Sequence, residues 1–144
     1  MPRTTPTPWT CLACGREFRH ANQGHTCEPV MSLDERLALL DPNQRAICEA
    51  VLKMLPKIGA VHVEPVRVGF FLKHGPIFAS LRLRRAGMRL LIILPRRLEH
   101  PRLSASRQRD GSSRIPHATT IRSAREVDAD VQRWLAESYA SSPA

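Results

Sequence analysis

Cys11, Cys14, His25 and Cys27 carry the most distinct chemistry in this 144-residue chain. Their spacing, Cys-x2-Cys-x10-His-x-Cys, gathers three thiols and one imidazole into a short stretch. That is the donor set of a closed tetrahedral zinc site. A Cys-x2-Cys turn aims backbone amides at both thiolates, and Gly15 permits the tight approach. Four protein donors leave no open coordination position, so the expected Zn2+ is structural rather than catalytic. Phe18 is spaced to shield such a site from water, with Trp9 packing beside it. His20 offers a second spacing, Cys14-x5-His20-x6-Cys27; local loop closure favours His25. His25 and Cys27 lie too close in sequence to share one face of a helix, so a base-reading finger helix is not expected. The stretch is too short and polar to fold around its own core, which leaves metal binding to supply its folding free energy.

Other reactive patterns are sparse. A metal-dependent nuclease needs convergent carboxylates, yet residues 65–125 contain only Glu99 and Asp110, with Glu64 just ahead of them. No phosphate-cradling GxxxxGK[ST], nucleophile-elbow GxSxG or zinc-protease HExxH is present. His62, His74, His100 and His117 are isolated and read as surface or turn residues. Cys48, beside Ile47 in an amphipathic segment, reads as a buried structural thiol. An enzyme is therefore disfavoured.

The charge distribution points elsewhere. The net charge is +9, but residues 1–30 carry +1, 31–64 carry −1, 65–125 carry +12 and 126–144 carry −3. Focusing of this kind suits a polyanion-binding surface. Of the 22 basic residues 19 are Arg, a bias that codon composition alone also produces. If the central segment is a sheet with one face packed, alternation sets Arg67, Lys73, Arg82, Arg84 and Arg89 on the other face. Arg96, Arg97, Arg102, Arg107, Arg109 and Arg114 follow on the adjoining strand end and loop. Guanidinium groups match phosphate geometry, and Phe71 or Phe78 offers a stacking surface. With aromatics at 5%, backbone contact to DNA or RNA is the expected mode. Two other readings stay open. One is a protein partner meeting exposed apolar sheet residues. The other is an enzyme on a phosphorylated or nucleotide-like small molecule, with His117 and nearby arginines as its site.

The elements that must position these residues follow from periodicity. Residues 1–8 are Pro- and Thr-rich and read as a disordered tail, 9–29 as the zinc knuckle and 30–141 as the body. Ser32-Leu-Asp-Glu35 predicts a capping box and a short helix ending near Leu40. Asp41-Pro42 starts a second helix over 42–55, with Ile47, Val51, Leu52 and Leu55 on one stripe and Pro56 and Gly59 ending it. Alternation from Val66 to Lys73, from Ile77 to Arg84 and from Met88 to Leu94 predicts three strands of an antiparallel meander. Residues 96–114 read as a mobile basic loop, and His117–Arg122 as an edge strand. Ser123-Ala-Arg-Glu126 predicts a cap for a final helix that buries Val127, Val131, Trp134 and Leu135. The fold class expected is α+β, with helices covering one sheet face. No apolar run reaches membrane-spanning length and no secretory signal is visible, so the expectation is a cytoplasmic protein without a membrane partner.

Two motifs also support a resemblance. Trp9-Thr-Cys11-Leu-Ala-Cys14-Gly-Arg-Glu-Phe18 and Gln23-Gly-His25-Thr-Cys27 resemble the W-x-C-x-x-C-x-x-x-F and Q-x-H-x-C head found in members of the bacterial domain of unknown function (DUF) family 5655. Phe78-Ala79, Leu90–Leu94, His117 and the Asp128–Ala140 segment resemble its body. The resemblance implies His25 rather than His20 as ligand, an α+β fold, and no catalytic residues to carry over. The transport label sometimes given to that family finds no spanning segment here.

Overall fold

The computed structural model describes residues 8–12, 16–25, 32–105 and 114–142. Contacts divide the chain into two units, residues 1–32 and 33–144. In the first, β1 (Trp9–Thr10) and β2 (Glu17–Phe18) form an antiparallel hairpin with Trp9 opposite Phe18.

The second unit is α+β. Helices α1 (Leu33–Ala38) and α2 (Pro42–Ile58) precede strands β3 (His62–Val66), β4 (Gly69–Lys73), β5 (Ile77–Arg84), β6 (Gly87–Leu94), β7 (Ser104–Ala105) and β8 (Ile115–Ile121), and α3 (Ala129–Ser141) closes the chain. The sheet is antiparallel throughout, in the order β3-β4-β5-β6-β8-β7. Cross-strand partners share a face. Phe70 and Leu72, Ala79 and Leu81, Met88, Leu90 and Ile92, with Ile121, therefore project together, and they pack in one core with Ile47, Cys48, Val51 and Leu55 of α2 and Val131, Trp134 and Leu135 of α3. Among the described residues, the opposite face carries no helix of that core.

Helix α2 starts as expected. The Asp41 carboxylate accepts the Gln44 amide at 2.7 Å, and the Gln44 side-chain oxygen accepts the Asp41 amide. It continues through Pro56 to Ile58, three residues beyond the predicted end. In the last turn the missing proline N–H forfeits a single hydrogen bond, while the Gly59 amide still reaches the Leu55 carbonyl at 3.0 Å.

Four further expectations are corrected. Alternation from Val66 to Lys73 is not one strand: Arg67 and Val68 form the β3–β4 turn, and Val68 is half exposed. Strand β3 was masked in the sequence by Pro65, which an edge strand tolerates. Segment 96–105 is tied down rather than loose. The Leu98 amide donates to His117 Nε2, Arg102 grips Asp128, and β7 pairs with β8. Residues 106–113, including Arg107 and Arg109, lie outside the described part. Strand β8 is an interior strand rather than an edge, because β7 lies outside it. Finally, Ser123 makes no cap. Residues Ala124–Glu126 form a 3-10 turn, and Asp128 caps α3 by accepting the Val131 amide at 3.2 Å. Burial works to raise the Asp128 carboxyl, but the Val131 amide and the Arg102 guanidinium outweigh it and hold it below the ordinary carboxylate range.

A buried hydroxyl closes the sheet where β5 carries an extra residue. Register shifts at Leu72/Lys73, leaving Phe78 between the pairs Lys73–Ile77 and Leu72–Ala79. The Ser138 hydroxyl, fully buried on α3, accepts the Ile93 amide at 3.1 Å and has two carbonyl acceptors for its single proton, Phe78 at 2.6 Å and Ile93 at 2.8 Å. Ser138→Ala removes the hydroxyl partner of these backbone groups. The expected loss is about 2 kcal/mol of unfolding free energy, read by urea denaturation; a change below a few tenths would refute the bridging role.

Candidate functional site

The face without helices is ordered in rows by the register. One row runs Phe71, Ser80, Leu91, Ala118 and Ser104 from β4 to β7. The next runs Gly69, Arg82, Arg89 and Thr120, with Arg84 beyond it on β5. Arg82 and Arg89 are direct cross-strand partners, an arrangement of like charges that weakens a sheet. No carboxylate among the described residues pairs with Arg82, Arg84 or Arg89 within 4.0 Å.

The other predicted basic residues have separate duties. Lys73 lies 2.5 Å from Glu64. Arg67 sits in the β3–β4 turn, its carbonyl accepting from Arg36 at 2.7 Å. Arg96 grips Glu137 of α3 through two bonds of 2.9 and 3.1 Å, and Arg97 approaches Glu99 at 3.6 Å. That paired carboxylate raises the Arg96 guanidinium above its ordinary range. Arg102 is structural: it binds both Asp128 oxygens and the Glu126 carbonyl, and lies 5.4 Å from the centre of the Trp134 ring. Of the described members of that set, Arg82, Arg84 and Arg89 thus form the cluster on the open face.

Sequence reasoning gave Arg122 no place in this set. It follows β8, and with Arg84, Arg89, Ser104, Thr120 and Glu126 it lines a cleft of about 630 Å3. Residues Pro101–Leu103 supply the wall on the β7 side. The first turn of α2 fixes both ends of this cleft. Gln44 donates to the Arg84 carbonyl at 2.9 Å and Asn43 to the Arg122 carbonyl at 2.8 Å. No local pattern at Arg122 announces this, since the bonds span 40 and 79 residues.

His117 is removed from any surface site, contrary to its reading as a surface residue and as the centre of an enzymatic one. It projects with Ile92 into the helix-covered face and is fully buried. Its Nδ1–H donates to the Ile115 carbonyl at 2.8 Å and its Nε2 accepts the Leu98 amide at 3.0 Å, so both nitrogens are used. His74 also departs from a plain turn residue, stacking on Tyr139 with ring centres 4.2 Å apart. Cys48 is buried against Met88, and burial pushes its thiol up to about 12. A thiol in that state is a poor nucleophile.

In the N-terminal unit the hairpin brings Trp9, Phe18 and His25 together, with Phe18 and His25 ring centres 4.1 Å apart. The Cys11 amide closes a turn onto the Arg16 carbonyl at 2.9 Å, and the Cys11 side chain is buried. His25 Nδ1–H donates to the Gln23 carbonyl at 2.6 Å, which assigns the basic lone pair to Nε2. His20 is exposed. Cys14 and Cys27 lie outside the described residues, and among the described ones no three His, Cys, Asp or Glu side chains gather as a metal group. No helix among them is long and apolar enough to cross a membrane.

A family model described as a domain of unknown function (DUF5655) matches residues 37–142, which span α2, the whole sheet and α3. The cysteine-bearing head falls outside that range. No curated protein and no solved structure matches the chain.

Proposed function

The chain belongs to the DUF5655 family, and from that premise we propose that its body binds single-stranded nucleic acid across the open sheet face, without catalysis. The observation that carries this reading is the cluster of Arg82, Arg84 and Arg89 on neighbouring strands, with Arg82 directly opposite Arg89 and none of the three paired with a carboxylate among the described residues. Like-charged neighbours cost stability on their own; a polyanion removes that cost. Half-buried Phe71 and Leu91 in the adjacent row offer apolar contact to bases. With Arg122 included, four guanidinium groups contact phosphate, and each releases condensed counterions. The expected slope of log K against log salt is about −3 for a single strand. Anisotropy titrations of generic RNA and DNA from 50 to 200 mM salt measure it. A slope near zero would instead favour a protein partner for the same face.

The head, in this reading, is a structural zinc module held by Cys11, Cys14, His25 and Cys27. The donor set fits zinc, and the Gln23 carbonyl on His25 Nδ1 is the outer hydrogen bond that metal-bound histidines use. Bound zinc supplies folding free energy to a segment with few apolar residues. Chelation is expected to abolish amide protection over residues 9–28 while leaving the urea midpoint of the body unchanged. Purified reduced protein containing no stoichiometric zinc would sink the assignment.

A further inference from the structure

We infer that the cleft beside the open face receives the terminal ribonucleotide of a bound strand, its phosphomonoester on Arg84, Arg89 and Arg122 and its sugar hydroxyls on Glu126. This rests on the nucleic-acid reading and sharpens it. The row Arg82–Arg89–Thr120 leads from β5 to β8 and into the cleft. There Pro101–Leu103, which precede β7 in the chain, also line the cleft. A volume of about 630 Å3 lies within the span typical of small-molecule pockets.

The chemistry of the lining narrows the ligand. Four arginines line the cleft, and with Arg102 committed to Asp128, the remaining three suit a group of high negative charge density; a terminal phosphate carries more charge than an internal diester. Glu126 is the one carboxylate of the lining. Its Oε1 accepts the Arg122 amide at 3.3 Å, so the residue is held at the cleft while its second oxygen takes no donor from the described protein. A carboxylate repels phosphate and calls for a hydroxyl or amine donor beside it. Ribose hydroxyls meet that need; a deoxyribose end offers fewer. The Ser104 hydroxyl is directed to the Ala118 carbonyl at 3.4 Å.

The test uses six-nucleotide RNAs bearing a phosphate at the 5′ end, at the 3′ end or at neither, titrated into the full chain at constant ionic strength. One phosphorylated form should bind about tenfold tighter than the hydroxyl-ended strand, and more tightly than its DNA counterpart. Arg122→Gln should erase the phosphate preference. Arg85→Gln, in the β5–β6 turn outside the cleft, should preserve it. Glu126→Gln should reduce the preference for RNA over DNA. Equal binding of the three RNAs, or equal loss in the Arg122 and Arg85 variants, overturns the inference. If no strand binds, the reading of the open face fails by itself, and the cleft is then decided with AMP against adenosine. AMP binding that disappears in Arg122→Gln sustains it; absence of AMP binding overturns it.

Discussion

Exchanging both Arg82 and Arg84 for glutamate should weaken single-stranded nucleic-acid binding by about 100-fold at low salt. Each guanidinium–phosphate contact is a hydrogen bond to a charged group, worth about 1.5 kcal/mol at the low end, and two such losses approach 3 kcal/mol. Every 1.4 kcal/mol is tenfold in affinity. The salt slope should fall together with affinity, from about −3 to about −1.5, because two of the four proposed phosphate contacts disappear. Both residues are exposed and have no carboxylate partner among the described residues, so the fold loses no ion pair in the exchange. Glutamate at position 82 also faces Arg89 across the strands, converting a like-charge pair into an opposite one. Stability should accordingly hold or rise slightly while binding collapses. Unchanged affinity and slope in a folded variant would remove the open face from consideration.

Gly69→Ala should destabilise the body by about 3 kcal/mol or more. The residue has φ of +154°, a conformation open essentially to glycine alone, and such backbone strain costs roughly 1–3 kcal/mol for other residues. A Cβ there would also overlap the Leu81 carbonyl oxygen of the neighbouring strand. Backbone cannot step aside cheaply at that point. The Leu83 amide is bonded to the Val68 carbonyl at 2.8 Å, and Phe70 and Leu81 are core partners on either side. Chemical denaturation reads the loss directly, and a variant within 0.5 kcal/mol of the parent, a margin typical of surface changes, would show that β4 and β5 separate more readily than their register implies.

Much of this molecule was legible from residue order. The Asp41-Pro42 start of α2, the strands from Ile77 and from Met88, and the Val131–Leu135 stripe of α3 each arise from local signals: a capping side chain, a period of two, a period near four. Those signals act within a few residues, so reading along the chain recovers them. Val66–Lys73 misled because alternation persists through the two-residue Arg67–Val68 turn, beyond which Gly69 packs closely on the Leu81 carbonyl of β5. Ser123-Ala-Arg-Glu126 misled because two caps competed within six residues. Asp128 prevailed through its added partnership with Arg102, a residue 26 positions away.

What the sequence by itself determined is the inventory: which segments become helix or strand, the concentration of positive charge in residues 65–125, and a cysteine–histidine set suited to zinc. Tertiary structure alone decided which of those charges are already paired. Lys73 and Arg96 went to carboxylates and Arg102 to the cap of α3, while Arg82, Arg84 and Arg89 kept the shared face that alternation predicts and Arg122 joined them at the cleft. His117 changed from a candidate reactive group to a buried brace in the same way. The physical reason is range. Helix and strand propensities are set by neighbours along the chain, whereas burial, ion pairing and hydrogen-bond satisfaction are set by neighbours in space, which strand register and helix docking choose.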